Sequence, residues 1–170
     1  MKENIDKLVW VPSPREIAVE KLLILNEIEA IGLPWLENLA HTAAIARKRA
    51  YIPQTGYGVG AAMLDTIGDE HSGQNVEITT LSETGHAEEQ SMKNAIDKSV
   101  IQRMGRRFVR AVAVSHEGDT SPCGRCRQIM KEFSDNALVI IADPEGEIRR
   151  ITSLRILLPD AFGPKDLGIE

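Results

Sequence analysis

Two short clusters, thirty-seven residues apart, restrict what this chain can fold into more than any other feature. His86-Ala87-Glu88 and Pro122-Cys123-Gly124-Arg125-Cys126 hold one His, one Glu and both cysteines of the 170-residue sequence. Each cluster stands where a helix is expected to begin. Cysteines three apart at a helix start place both sulfurs on one side of the first turn, where they can grip one ion. The unpaired N–H groups of that turn favour thiolate over thiol, and only the thiolate binds metal.

Two thiolates and one imidazole give a neutral site around Zn²⁺, and three protein ligands leave the fourth position for water, as in a catalytic rather than a structural zinc site. His41, His71 and His116 have no Cys or His neighbour at ligand spacing, so none is read as a fourth ligand. Glu88 follows His86 by two residues, roughly 200° around a helix, which keeps it off the metal but within reach of the water. Zinc lowers the pKa of its water towards roughly 7, and a nearby carboxylate can carry that proton to a ring nitrogen and then to a leaving amine. These are the parts needed for hydrolytic deamination of an aromatic amidine, and His-x-Glu with Pro-Cys-x-x-Cys is the signature of the zinc-dependent deaminases. Two blander readings stand beside this one. One is a thioredoxin-like dithiol, which leaves His86 and Glu88 unexplained; the other is a zinc-bearing binding module without turnover, which leaves Glu88 without a purpose.

Bulk properties narrow the partners. With 20 Lys plus Arg against 25 Asp plus Glu, the formal charge is −5, so the surface lacks the positive field that a nucleic-acid backbone requires. A small-molecule substrate is favoured. The two cysteines are too close to brace a fold and point to metal or redox chemistry. No apolar run approaches the roughly 18 residues of a membrane span, and the N-terminus is charged from its second residue. A cytoplasmic protein without membrane attachment is expected.

Ser13-Pro14-Arg15-Glu16 reads as a helix start with a capping box. Ile17, Ala18, Leu22, Leu25 and Ile28 then form an apolar face, until Gly32 and Pro34 stop a helix expected over about 14–31. That face is most simply packing, against this domain or a neighbouring subunit. A second helix from Pro34 carries Leu36, Leu39, Ala40, Ala43 and Ala50. Strands are expected over 59–64, 75–79, 108–115, 138–142 and 147–151, with 65–73 as a turn. The helix after His86 is expected to face Met92, Ala95, Ile96 and Val100 to the core, and the helix after the cysteines Cys126, Ile129, Met130 and Phe133. Helices alternating with strands predict a three-layer α/β/α sandwich, its sheet of about five strands in the middle. The soft boundary near Gly32 sets residues 1–33 apart as an N-terminal helical extension to a zinc-dependent deaminase domain over 34–170.

The sequence resembles the cytidine deaminase family well beyond the zinc clusters. Pro122-Cys123-Gly124-Arg125-Cys126-Arg127-Gln128 with Glu132-Phe133 looks like the family's Pro-Cys-Gly-x-Cys-Arg-Gln segment. Tyr57-Gly58-Val59-Gly60-Ala61-Ala62 resembles its aromatic-x-Val-Gly-Ala-Ala strand, and Ala50-Tyr51-Ile52-Pro53 the helix end before it. Asn75-Val76-Glu77 stands eleven residues before His86, as Asn-Val-Glu does in the family, and Leu157-Leu158-Pro159-Asp160-Ala161-Phe162-Gly163-Pro164 matches the C-terminal segment. The resemblance covers about 34–168. It implies a mixed central sheet, a free nucleoside substrate and one Zn²⁺ per chain held by His86, Cys123 and Cys126. It further implies Glu88 as proton shuttle, Asn75 and Glu77 on the ribose hydroxyls, and Tyr57 against the pyrimidine. Phe162 would reach a neighbour's site in a homo-oligomer, a dimer or a tetramer.

Three departures stand out. Single-domain members usually place Cys at the His86 position and Arg after the catalytic Glu; here Glu89 follows Glu88, and a His ligand removes the extra negative charge that Arg would offset. Ile78 and the 79–85 segment depart from the family's pattern along the pocket wall. Tyr57 replaces Phe, adding a hydroxyl that must find a partner if buried. The expected reaction is deamination of cytidine or deoxycytidine. The altered pocket segment motivates a second reading, a modified cytosine nucleoside such as blasticidin S.

Overall fold

A computed structural model describes residues 13–97, 103 and 105–169. Helix α1 (Pro14–Ile31) begins as the sequence predicts. The Ser13 hydroxyl accepts from Glu16 N, the Glu16 carboxylate accepts from Ser13 N, and Pro14 occupies the first turn. Gly32 separates it from α2 (Leu33–Arg47), and at φ +93° takes a backbone conformation that side chains with a Cβ rarely adopt. Ala50 lies beyond the end of α2.

Of the predicted apolar face of α1, Ile28 packs on the core of this domain and most of the rest does not. Ile17, Leu22 and Leu25 are more than half exposed, and the inward positions are Glu20, Ile24, Ile28 and Ile31. Glu20 turns inward because its carboxylate accepts from Asn136 Nδ2 (2.6 Å) and Ser153 Oγ (2.7 Å), with Arg155 at 3.4 Å. A buried carboxylate with such partners is tolerated; without them it is not.

Five strands follow: β1 (Gly60–Asp65), β2 (Glu70–Gln74), β3 (Val109–Ser115), β4 (Leu138–Ala142) and β5 (Ile148–Ser153). They form one sheet in the order β2-β1-β3-β4-β5, with β3 and β4 parallel and the other pairs antiparallel. The sheet is therefore mixed. On one face α1 and α2 pack Leu36, Leu39 and Ala43 against Ala62, Ala113 and Ile140. On the other, α3 (Ala87–Asp97), α4 (Gly124–Phe133) and the short α5 (Leu154–Leu157) cover Met63, Val112, Val114, Val139 and Ile141. The central strands β1, β3 and β4 are buried on both faces, which is why they read as continuous apolar runs.

The second strand departs from expectation. It forms at Glu70–Gln74, and the expected strand over 75–79 is a loop making isolated bridges to Tyr51 and Gly85. Asp65 explains the early start: its Oδ1 accepts from Ile67 N and Asp69 N, which closes the turn within four residues. Its Oδ2 lies 2.9 Å from His71 Nε2 in a fully buried pair. His71 and Gly73 face inwards on this polar-looking strand, and Gly73 lets α3 lie directly upon it. Met92 and Ala95 of α3 are buried as expected, Ile96 is 38% exposed, and Val100 lies outside the described residues.

Candidate active site

Two helix starts meet at one end of the sheet. His86 immediately precedes α3, its carbonyl accepting from Gln90 N, and Cys123 is the N-cap of α4, its carbonyl accepting from Arg127 N. Arg127 braces the cysteine turn, its Nε donating to Pro122 O (2.6 Å) and its Nη1 to Leu157 O (2.9 Å). Among the described residues one trio of possible metal ligands converges, His86, Cys123 and Cys126. His86 Nδ1 lies 3.6 Å from Cys123 Sγ and 3.4 Å from Cys126 Sγ, and the two sulfurs are 3.6 Å apart.

Those separations test the fit of zinc. A tetrahedral centre with bonds of about 2.3 Å to sulfur and about 2.0 Å to nitrogen holds sulfurs roughly 3.8 Å apart and sulfur from nitrogen roughly 3.5 Å. The three observed edges match such a centre, so the residues fit a bound zinc ion. Cys126 is fully buried beside these groups. Its burial pushes the thiol strongly up, and the neighbouring Glu88 and Cys123 add to the shift. The helix start that Cys126 occupies does not by itself give a thiolate; a cation in the site would offset both the burial and the neighbouring negative charge.

Glu88 is 4% exposed and faces the same cavity of about 350 Å³ as His86 and Cys123. Tyr57, Asn75 and Glu77 also line it, so seven of the eight residues singled out from the sequence lie in or at this site. Phe162 does not: it is 61% exposed, and its carbonyl accepts from Gln128 Nε2 outside the cavity.

The polar wall residues hold their own chain as well as facing the cavity. Asn75 Oδ1 accepts from Val59 N (2.8 Å), and Nδ2 donates to Tyr57 O (2.9 Å). Glu77 accepts from Gln54 N (2.9 Å), Thr55 N (3.1 Å) and the Thr55 hydroxyl. That hydroxyl holds the Glu77 carboxyl below the usual range, against the opposing effect of burial and with help from both amides. Each side chain keeps hydrogen-bonding capacity beyond these bonds: one N–H of Asn75 and lone pairs on Glu77.

The extra hydroxyl of Tyr57 has its partners, the Glu117 carbonyl at 2.7 Å and His116 Nδ1 at 3.0 Å. His116 is buried in the cavity wall, with Nε2 2.9 Å from Thr120 O. Thr84, within the 79–85 segment expected along the pocket wall, lines the cavity; Thr55, which sequence reasoning passed over, and His116, which it weighed only as a metal ligand, line it too. His116 carried one usable signal, its place directly after the strand expected over 108–115, seven residues before the first cysteine.

A buried carboxylate beside a zinc-competent His-Cys-Cys trio, at the end of a mixed sheet covered by helices, defines a zinc-dependent hydrolytic deaminase. The family comparison agrees. Residues 33–142 match the cytidine and deoxycytidylate deaminase zinc-binding region, and the chain belongs to that family. It is 36% identical over 135 residues to a cytidine deaminase of Sporosarcina psychrophila, covering 78% of this chain and 95% of that one. It is also 34% identical over 128 residues to a cytidine deaminase of Sodalis glossinidius, covering 74% of this chain but 37% of that longer protein. Among solved structures, cytidine deaminase from Burkholderia pseudomallei is similar at a TM-score of 0.65 and 33% identity, over 74% of this chain and 97% of that one. The enzyme from Mycobacterium tuberculosis is similar at 0.58 and 34%, over 74% and 94%.

Proposed function

We propose that the protein hydrolyses cytidine or deoxycytidine to the corresponding uridine nucleoside and ammonia. The observation that carries this reading is Glu88, a carboxylate buried in the cavity beside the three ligands. Zinc held by His86, Cys123 and Cys126 supplies the Lewis acidity that makes water a nucleophile near neutral pH. Glu88 takes a proton from the attacking water as oxygen adds to C4 of the pyrimidine and gives it to N3; it then carries the proton of the new C4 hydroxyl to the amine, so that the C4–N4 bond breaks to leave the C4 carbonyl and ammonia. Asn75 and Glu77 offer their remaining hydrogen-bonding capacity to the sugar, and Tyr57 presents its ring to the base. Val59, Ala87, Val114 and Pro122 supply apolar wall against the pyrimidine. Neither blasticidin S deamination nor a silent zinc module gains support from the four relatives and structures described above, each of which carries the cytidine deaminase name.

Residues 34–170 form the deaminase unit in this reading, and 1–33 an extension held to it by Glu20. The exposed Ile17, Leu22 and Leu25 of α1 and the exposed Phe162 ring support a homo-oligomer, a dimer or tetramer in which Phe162 serves a neighbour's cavity. Free nucleosides as substrates, the net charge of −5 and the absence among described residues of a helix long and apolar enough to cross a membrane support cytoplasmic pyrimidine salvage, without nucleic-acid or membrane partners.

The test is Glu88→Ala with a panel of cytidine, deoxycytidine, blasticidin S and adenosine. Zinc content stays near wild type while the rate on cytidine falls by about two orders of magnitude or more. Loss of zinc with the rate makes Glu88 a ligand or structural support; a zinc-loaded wild type that releases no ammonia from any nucleoside sinks the enzyme reading.

A further inference from the structure

His116 takes part in no step of the reaction above, yet it is buried in the cavity wall with polar groups at both ring nitrogens. Nε2 lies 2.9 Å from Thr120 O, while Nδ1 lies 2.7 Å from Glu117 O and 3.0 Å from the Tyr57 hydroxyl. With its proton on Nε2 the ring donates to Thr120 O and offers Nδ1 to the hydroxyl; with a proton on Nδ1 it donates towards the hydroxyl and Glu117 O. In either tautomer His116 joins Tyr57 to the 117–120 loop. The hydroxyl's own donated bond, to Glu117 O at 2.7 Å, ends on the same loop.

The tether acts on a side chain that would otherwise be free to move. Tyr57 stands on the loop before β1, at the cavity rim, and is 42% exposed. A half-exposed ring on a loop has rotamers to choose from; one whose hydroxyl is held by a buried imidazole and a carbonyl does not. Arg47 fixes the backbone of the same stretch, its Nε donating to Gly58 O (3.0 Å) and its Nη2 to the Glu117 carboxylate (2.9 Å). Both ends of the tyrosine are thus tied to residues 116 and 117. We infer that His116 is a positioning residue, which holds the Tyr57 ring in the orientation that meets the pyrimidine before the nucleoside arrives. The inference rests on the nucleoside reading above and adds to it a residue that acts through another.

Binding of the product, which needs no turnover, tests it. Calorimetric Kd values for uridine are compared on zinc-loaded wild type, Tyr57→Phe, His116→Gln, the double variant and His116→Asn, each with its zinc content measured as the check of fold. Tyr57→Phe keeps the ring and removes its anchor, so the ring must be ordered on binding. Uridine then binds roughly 2- to 10-fold more weakly, the scale of immobilising one side chain. His116→Gln moves the amide towards Thr120 and away from Tyr57, and gives a loss of the same size. The double variant loses no more than either single one, because both cut one tether. His116→Asn places an amide where Nδ1 stands, able to give or take a hydrogen bond, and restores uridine binding. Were His116 to serve only its own loop, His116→Gln would weaken uridine as much in the Tyr57→Phe background as in wild type. That additivity, unchanged uridine binding in Tyr57→Phe, or a zinc-loaded His116→Asn that fails to restore it overturns the inference. Tyr57→Phe, which removes one rim hydroxyl, decides the matter alone if the buried imidazole cannot be replaced without unfolding. A wild type that binds uridine but releases no ammonia from cytidine counts against the enzyme reading alone.

Discussion

The placement of Glu88 and His86 depends on a glycine in the neighbouring strand, and adding one methyl group there should loosen the chemistry. A Cβ on Gly73 would lie 2.5 Å from Ala87 O, 2.5 Å from Ser91 N and 2.8 Å from the Gln90 Cβ, whereas ordinary contact begins at 3.4 Å. The first turn of α3 must therefore retreat from β2 by about 0.9 Å, since the opposing atoms are helix backbone and have no rotamer to escape into. Overpacking of this kind costs about 1–3 kcal/mol. The retreat also carries His86 and Glu88 away from cysteines that are fixed to a different helix. A misplacement of about 1 Å at a reacting centre costs up to about 100-fold in rate, and disturbance of ligand support lowers metal affinity by about 10- to 100-fold. Gly73→Ala is measured by kcat/KM on cytidine, by zinc competition against a chromogenic chelator and by urea denaturation. Leu39→Ala, which empties the core on the opposite face of the sheet, serves as the stability control at about 2–5 kcal/mol. The expected pattern is loss of rate and zinc affinity in Gly73→Ala and their retention in Leu39→Ala. If Gly73→Ala keeps wild-type zinc affinity and turnover while losing stability, the β2 contact does not position the site.

Two further outcomes follow from side chains with several partners. Glu20→Ala removes the acceptor for Asn136 and Ser153 and should lower unfolding free energy by about 2–3 kcal/mol in denaturant titration, with kcat on cytidine unchanged. Glu77 is held below the usual carboxylate range, first by the Thr55 hydroxyl. A carboxyl whose folded pKa is depressed contributes stability above its unfolded value and loses it as pH falls through the folded one. On the proposed sugar contact, which needs the ionised carboxylate, nucleoside affinity should be flat from about pH 5 to 8 as far as Glu77 is concerned and fall on the acid side, a limb that Glu77→Gln removes.

The parts of the site tied to fixed spacing were legible in the sequence, and those tied to burial were not. His86, Glu88 and the cysteines act through spacings of two, three and thirty-seven residues, which a helix start converts into geometry. The central strands were readable because burial on both faces leaves an unbroken apolar run. By contrast β2 reads Glu-His-Ser-Gly-Gln, and its inward His71 is acceptable only because Asp65 lies 2.9 Å away. Nothing local announces that pairing. The same applies to α1, where the apolar stripe invited an inward face and Glu20 took it. Its partners Asn136, Ser153 and Arg155 are more than a hundred residues away in sequence. Asn75 and Glu77 were assigned to the cavity by resemblance alone, and their second occupation, pegging the 54–59 loop, follows from hydrogen bonds that no periodicity encodes.

Glu89 illustrates how the ligand set reaches into its surroundings. Two thiolates and a neutral imidazole balance a divalent ion, so the residue after Glu88 need not be a cation. The chain uses that freedom for a cross-brace. Glu89 accepts from Arg125 at 2.7 Å and pairs with Lys93 at 2.8 Å, and Arg125 stands between the two cysteines with a second contact to Thr84 O at 3.4 Å. One guanidinium thereby touches the loop before His86, the helix that bears Glu88 and the turn that bears both sulfurs. With its Arg125 side half exposed, the pair adds little to stability, because solvent screens such charges. Its worth lies in geometry: Gly73 lets α3 approach the sheet, and the Glu89–Arg125 pair keeps its first turn from sliding along the cysteines.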